Sequence, residues 1–262
     1  MTLDLVQYVL GALSGALVGF SLGMFGGGGS ILAVPLMVYV VGVPSAHMAI
    51  GTSAFAVAAN ALANVVSHAR LGNVKWRCAG IYSVAGIVGA FFGSSLGKIV
   101  DGHALLLLFA LLMLVVGALM FKSRGSGGDP HAQCNRENAP KVVTFGALTG
   151  AFSGFFGIGG GFLIVPGLIA STGMPIIFAI GSSLVAVTAF GLTTALNYAA
   201  SGLVDWPLAI IFIAGGAVGG VAGSLIAKRL SGSKGVLNML FAGLIVVVAI
   251  YMIANSLPAL LG

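Results

Sequence analysis

Apolar residues fill long stretches of this chain, at about 3–24, 45–69, 78–97, 104–121, 142–156, 175–200, 207–227 and 236–257. Each approaches the ~20 residues that a helix needs to cross a bilayer. In hydrocarbon a segment must satisfy its own backbone, so helices are the expected elements. Two shorter apolar pieces, 31–42 and 162–172, each follow a glycine cluster and read as half-helices or re-entrant segments.

The pattern occurs twice. Gly23-Met24-Phe25-Gly26-Gly27-Gly28-Gly29-Ser30-Ile31-Leu32-Ala33-Val34-Pro35 returns as Gly154-Phe155-Phe156-Gly157-Ile158-Gly159-Gly160-Gly161-Phe162-Leu163-Ile164-Val165-Pro166. Ala49-Ile50-Gly51-Thr52-Ser53 returns as Ala179-Ile180-Gly181-Ser182-Ser183, and Gly72, Trp76, Gly89, Gly93 and Lys98 as Gly202, Trp206, Gly219, Gly223 and Lys228. A constant offset of about 130 residues makes the chain two copies of one unit. Expected boundaries are a first transmembrane repeat at 1–122, a flexible linker at 123–140 rich in Gly, Ser, Pro and charge, and a second repeat at 141–262.

Composition agrees with a lipid solvent: 59% of residues are hydrophobic and 6% charged, where a soluble domain carries roughly 25% charged residues. The +6 net charge belongs to loops, since no soluble basic domain is present to bind nucleic acid. The first span has Asp4 and no Lys or Arg before it, so it does not read as a cleavable signal peptide. If each copy has an odd number of crossings, Arg70, Lys75, Arg77, Lys122, Arg124, Arg136, Lys141, Lys228, Arg229 and Lys234 share one face, and Lys98 alone takes the other. With an even number the split is 7 against 4. The positive-inside rule therefore favours inverted repeats, with the linker cytoplasmic and both termini extracytoplasmic. The expected fold is an all-α, polytopic integral membrane protein of the cell membrane. It has two inverted repeats of about five helical segments each, broken or re-entrant at the glycine motifs.

Two kinds of glycine are present. Gly11, Gly15, Gly19 and Gly23 recur every fourth residue, as do Gly146, Gly150 and Gly154, then Gly89, Gly93 and Gly97, then Gly215, Gly219 and Gly223. Such rows line one face of a helix and allow close helix–helix approach in lipid. The consecutive clusters Gly26–Gly29 and Gly159–Gly161 give no single face, and each glycine costs about 1 kcal/mol of helix stability. They read as breaks.

A broken helix at membrane depth exposes N–H groups and a positive dipole end, which suit an anion. The candidate binding residues are Gly26, Gly27, Gly28, Gly29 and Ser30 of the first copy, Gly159, Gly160 and Gly161 of the second, and the hydroxyls of Thr52, Ser53, Ser182 and Ser183. Along the same helices, Asn60, Asn64 and His68 in one copy and Thr194 and Asn197 in the other extend polar stripes from Ser53 and Ser183. These stripes read either as a pathway lining or as glue between helices. The 16 charged side chains all fall in loops or at span ends, which argues against a carboxylate-driven cation pump. No cofactor and no metal-ligand spacing is indicated. Cys78 and Cys134, 56 residues apart and outside any CxxC, read as reduced thiols.

These motifs, the paired glycine breaks leading to Val34-Pro35 and Val165-Pro166 followed by Gly51-Thr52-Ser53 and Gly181-Ser182-Ser183, resemble the TauE/SafE sulfite exporter family over about residues 5–255. The resemblance implies a secondary transporter of small sulfur-containing anions such as sulfite or sulfonates, with the bilayer and the anion as partners. It leaves the substrate, the direction and the oligomeric state open. A passive anion channel of the same architecture is the nearest alternative. Gly93-Ser94-Ser95-Leu96-Gly97 also fits the G-x-S-x-G pattern of a serine hydrolase, but it lies at the end of a glycine-faced span with no assigned base, so no enzyme is expected.

Overall fold

A computed structural model describes residues 4–122, 129, 132, 134–158, 161–229, 243 and 245–256. Among them the fold is all-helical. In chain order, α1 (Leu5–Phe25) runs into a 3₁₀ stretch (Gly26–Leu32), one α turn (α2, Ala33–Pro35) and a π turn (Leu36–Val40). Then follow α3 (Ala46–Arg70), α4 (Trp76–Gly97), α5 (Gly102–Lys122), α6 (Ala139–Phe156), α7 (Gly161–Thr172), α8 (Ile176–Ala199) and α9 (Trp206–Arg229). A last apolar helix, α10, spans Ile245–Ser256. Among the described residues, five helical runs are long and apolar enough to cross a membrane: Leu5–Val40, Ala46–Arg70, Trp76–Gly97, Ile176–Ala199 and Trp206–Gly223.

The duplicated sequence produces duplicated backbone. Every described residue with positive φ is a glycine, and the six fall at matching places in the two copies: Gly26 with Gly157, Gly42 with Gly173, and Gly72 with Gly202. Gly26 and Gly157 stop α1 and α6 at equivalent points, Gly157 in the left-handed conformation that only glycine takes cheaply.

The two halves interlock. α1 packs along α9 and α4 along α6, and in both pairs the glycine rows meet backbone. A Cβ at Gly15 would strike Phe212, one at Gly219 would strike Ala16, and one at Gly93 would strike Ala151. These approaches explain the four-residue spacing: two helices without side chains between them exchange dispersion contacts along their length. Residue numbers rise together along each seam, from Gly11 at Leu208 to Gly223 at Phe20, and from Gly86 at Gly150 to Gly97 at Phe155, so the paired helices are parallel. α3 and α8 form the centre and run antiparallel, with Gly51 against Tyr198 and Leu203, Gly191 against Ala54 and Ala58, and Gly181 against Asn73.

Large apolar side chains also cover the outside. Leu5, Val9 and Leu13 of α1, Val84, Val88 and Phe92 of α4, Leu148 of α6, and Ile210, Val218 and Val221 of α9 are exposed. The interior is dense in Gly, Ala and Ser. A continuous apolar exterior over close-packed small residues fits a lipid surround.

One expectation is corrected here. Cys78 and Cys134 are not separate thiols: they form a disulfide, with Cα atoms 5.3 Å apart. Cys134 is buried against the start of α4, Ala132 is buried as well, and the Asp129 N–H donates to Gly173 O at 2.9 Å. Separation along the chain carried no information about that pairing.

Candidate functional site

The glycine breaks meet. A Cβ on Gly27 would lie 2.8 Å from Gly161 Cα, 2.9 Å from Val187 Cγ2 and 3.2 Å from Ser183 Oγ, and one on Gly161 would strike Gly27 backbone. The start of the 3₁₀ stretch and the start of α7 therefore touch beside Ser183 of α8. Gly26 packs on Ile180, and its counterpart Gly157 packs on Ile50 of α3. Gly29 lies against Ser21 and Leu22 of α1. Only glycine fits such approaches, which accounts for Gly26, Gly27 and Gly29 in the run. Gly26–Gly29 and Ser30 are all buried, and Gly159 and Gly160 lie outside the described residues.

The hydroxyls divide into three groups. Ser30 Oγ donates to Gly27 O at 2.9 Å, holding the tight turn of the 3₁₀ stretch. Ser53 and Ser183 donate within their own helices, to Ile50 O at 3.1 Å and Ile180 O at 2.8 Å. Their hydrogens point at backbone and their oxygens remain acceptors, so donation to an anion requires the hydroxyl to rotate away. Thr52 and Ser182 reach across to the other half: Thr52 Oγ1 accepts from the Asp205 N–H at 2.9 Å, and Ser182 Oγ accepts from the Lys75 N–H at 2.9 Å. Asp205 and Lys75 immediately precede α9 and α4, whose first N–H groups lack helical partners. The two hydroxyls thus pin the α3–α4 and α8–α9 loops. The sequence carried a signal for this pairing, because Lys75-Trp76 and Asp205-Trp206 are themselves equivalent positions. All five hydroxyl residues have no exposed surface.

The polar stripes lie along the central helices. Asn60 on α3 is buried against Gly216 of α9, and its Nδ2 finds no acceptor in the protein. Asn64 Nδ2 donates to Asn60 O at 2.9 Å. His68 Nδ1 and Thr194 Oγ1 are buried and unpartnered, as are Ser14, Ser83, Ser153 and the Tyr198 hydroxyl, which the sequence reading did not single out. Buried polar atoms without a protein partner are the atoms that water or a solute would satisfy.

Asn197 belongs to a latch. Lys98 Nζ donates to Asn197 Oδ1 at 2.8 Å, Asn197 O at 3.1 Å and Ser201 Oγ at 2.9 Å, using all three of its protons. Asn197 Nδ2 in turn reaches Ser94 Oγ at 2.6 Å and Ser95 Oγ at 3.0 Å. The end of α4 is thereby tied to the end of α8. Ser94, the serine of the G-x-S-x-G match, sits inside α4, donates to Phe91 O at 3.0 Å and occupies no strand-to-helix elbow. Among the described residues no three His, Cys, Asp or Glu side chains group as a metal site.

Two glycine breaks thus touch beside α8, and the model of the sulfite exporter TauE/SafE family matches residues 11–252. The chain belongs to the TauE/SafE family. It is 54% identical over 263 residues to a probable membrane transporter protein of Xylella fastidiosa strain 9a5c, covering 99% of both chains. A probable membrane transporter protein of Haemophilus influenzae is 32% identical over 197 residues, 72% of this chain and 73% of that one. Bacillus subtilis YdhB, also named a probable membrane transporter protein, is 28% identical over 211 residues, 79% and 85% of the two chains. No solved structure matches. Family membership and the apolar helices together make this a membrane-embedded protein of a transporter family.

Proposed function

We propose that this TauE/SafE member is a secondary exporter of small sulfur-containing anions, sulfite or sulfonates, working by alternating access between two inverted repeats. The observation that carries the reading is the contact of Gly27 with Gly161 beside Ser183. Two helix starts in contact at one buried point would supply N–H groups and dipole ends for an anion without a fixed cation. An Arg or Lys held there would bind more tightly and release more slowly. Antiparallel α3 and α8 support inversion, since equivalent helices of inverted copies must run in opposite directions.

Burial favours a carrier over the channel alternative. Ser30, Thr52, Ser53, Ser182 and Ser183 are closed off from the surface, whereas an open pore would wet at least one of them. Transport then requires the seams around α3 and α8 to open on one face at a time. The charge distribution supports a cytoplasmic linker with both termini outside. A weak acid such as bisulfite carries its own proton, so no buried relay is needed.

The test is flux of radiolabelled sulfite in proteoliposomes, with and without a pH gradient, for wild type and for Ser53→Leu and Ser183→Leu. Saturable flux lost in both folded variants supports the site. Retained flux in the variants removes it.

A further inference from the structure

α4 and α8 finish at the same end of the bundle, and Lys98 stands there. Among the described residues it is the one Lys or Arg at that end, since Arg70, Lys75, Arg77, Lys122 and Lys141 lie at the opposite helix ends. Its ammonium is half-buried and bonds three neutral acceptors, Asn197 Oδ1, Asn197 O and Ser201 Oγ. The carboxylates nearest in the chain are engaged elsewhere. Asp101 Oδ1 accepts from the His103 and Ala104 N–H groups at the start of α5, and Asp205 Oδ1 accepts from the Leu208 N–H in the first turn of α9. Lys98 is therefore a cation that meets no carboxylate among the described residues, and a half-buried charge is stabilised by an opposite one.

The surroundings suit a small oxyanion. Ser201 is exposed, so the ammonium is reached from water. Asn197 Nδ2 is held by Ser94 Oγ and Ser95 Oγ, which both donate to Phe91 O, and this fixes Asn197 Oδ1 towards Nζ. The Tyr198 ring centre lies 6.0 Å from Nζ, and the Tyr198 hydroxyl, fully buried and without a protein partner, would lie 3.2 Å from a Cβ on Gly97. His47 Nε2–H donates to Gly97 O at 3.2 Å and Val100 O at 3.1 Å, which holds the start of α3 in the same cluster. A charge-assisted bond to an oxyanion is roughly twice as strong as one between neutral groups and is the better use of an ammonium proton. An arriving oxygen can replace Ser201 Oγ on Nζ, and the Ser201 hydroxyl is then able to donate to the same anion.

We infer that Lys98, Asn197 and Ser201 form a second anion site, which takes a small oxyanion by exchanging neutral acceptors on Lys98 for its oxygens. From Ser183 to Asn197 the distance along α8 is about 21 Å, at ~1.5 Å per residue, so this site is separate from the glycine breaks. Asp4, Asp101 and Asp205 stand at the same end and make the local potential more negative, so the anion is held weakly and passes readily to water. Its place as a release site on the route rests on the transport proposal above. Binding of an oxyanion at Lys98 does not.

The experiment follows acetylation of Lys98 by an amine-reactive ester in the purified full chain, read by mass spectrometry, in sodium sulfate and in sodium chloride of equal ionic strength. Sulfate should slow acetylation of Lys98 saturably, by about fivefold once its concentration is about four times its Kd, and leave exposed Lys141 unaffected. Ser183→Leu should keep the effect; its loss there would show a single site and overturn a second. Asn197→Asp and Ser201→Asp each hand Lys98 a carboxylate. Both should abolish the sulfate effect with the thermal midpoint maintained, and if Asn197→Asp does not fold, Ser201→Asp at its exposed position decides. A purely structural tie would be strengthened by either Asp and be blind to sulfate. Equal rates for wild type in the two salts, or full protection in the folded Asp variants, overturn the site. Flux is not read, so protection in a protein that carries no sulfite would contradict the transport proposal and uphold this one, and sulfite flux without protection would do the reverse.

Discussion

Thr52 and Ser182 hold loops of the opposite half by their oxygens, and that fixes what their loss should do. Thr52→Val or Ser182→Ala leaves a partly buried backbone N–H without its acceptor, at a cost of about 1–3 kcal/mol. Each should lower the thermal midpoint of the purified protein, and Thr52→Ser should restore it; unchanged midpoints would show that the loops are held by something else. Ser53 and Ser183 are different, because their bonds stay within one helix and their loss costs the fold little. Ser183→Ala should leave the thermal midpoint within error while lowering kcat/KM for sulfite by about tenfold, the worth of one hydrogen bond near 1.4 kcal/mol. Normal flux in that variant would remove Ser183 from the binding set. The sequence showed all four hydroxyls as one group. It could not separate them, because the partners that divide them are backbone atoms, half a chain away for two and one helical turn back for the others.

At the scale of elements, the glycine rows decide how close the helices come. Gly150 and Gly219 sit against the backbones of Gly86 and Ala16, while Gly80 of α4 has open space around its Cβ position. Gly150→Ala and Gly219→Ala should each push a seam apart and lower the thermal midpoint. Gly80→Ala should raise stability by about 0.5–1 kcal/mol through helix propensity alone. Equal effects at all three would refute the close-packed seams. These rows were legible because a four-residue period and a lipid solvent leave few other uses for glycine. The breaks were legible too, since four consecutive glycines cannot serve a helix. Asn197 was placed on a polar stripe by its spacing. Its engagement by Lys98 was hidden, because the register between α4 and α8 is set by packing rather than by local pattern.

Over the whole molecule, duplication gave the equivalences before any contact was known, and the positive-φ glycines repeat it in the backbone. What duplication left unstated is that α1 pairs with α9 and α4 with α6, so neither half buries its glycine face alone. The pairing of Cys134 with Cys78 lay beyond the sequence for a related reason: a linker rich in small and charged residues carries no periodicity from which docking can be read. Orientation remains a prediction of the charges. Alkaline phosphatase fused after residue 262 should be active and a fusion within 123–128 inactive, and the reverse pattern would contradict inversion as assigned.

The most direct test of the central claim is counterflow of labelled sulfite in proteoliposomes preloaded with unlabelled sulfite. Alternating access predicts transient, saturable accumulation of label against its gradient, abolished by Ser183→Leu. Label that merely equilibrates, at a rate unaffected by preloading, would show a passive pathway and contradict the account.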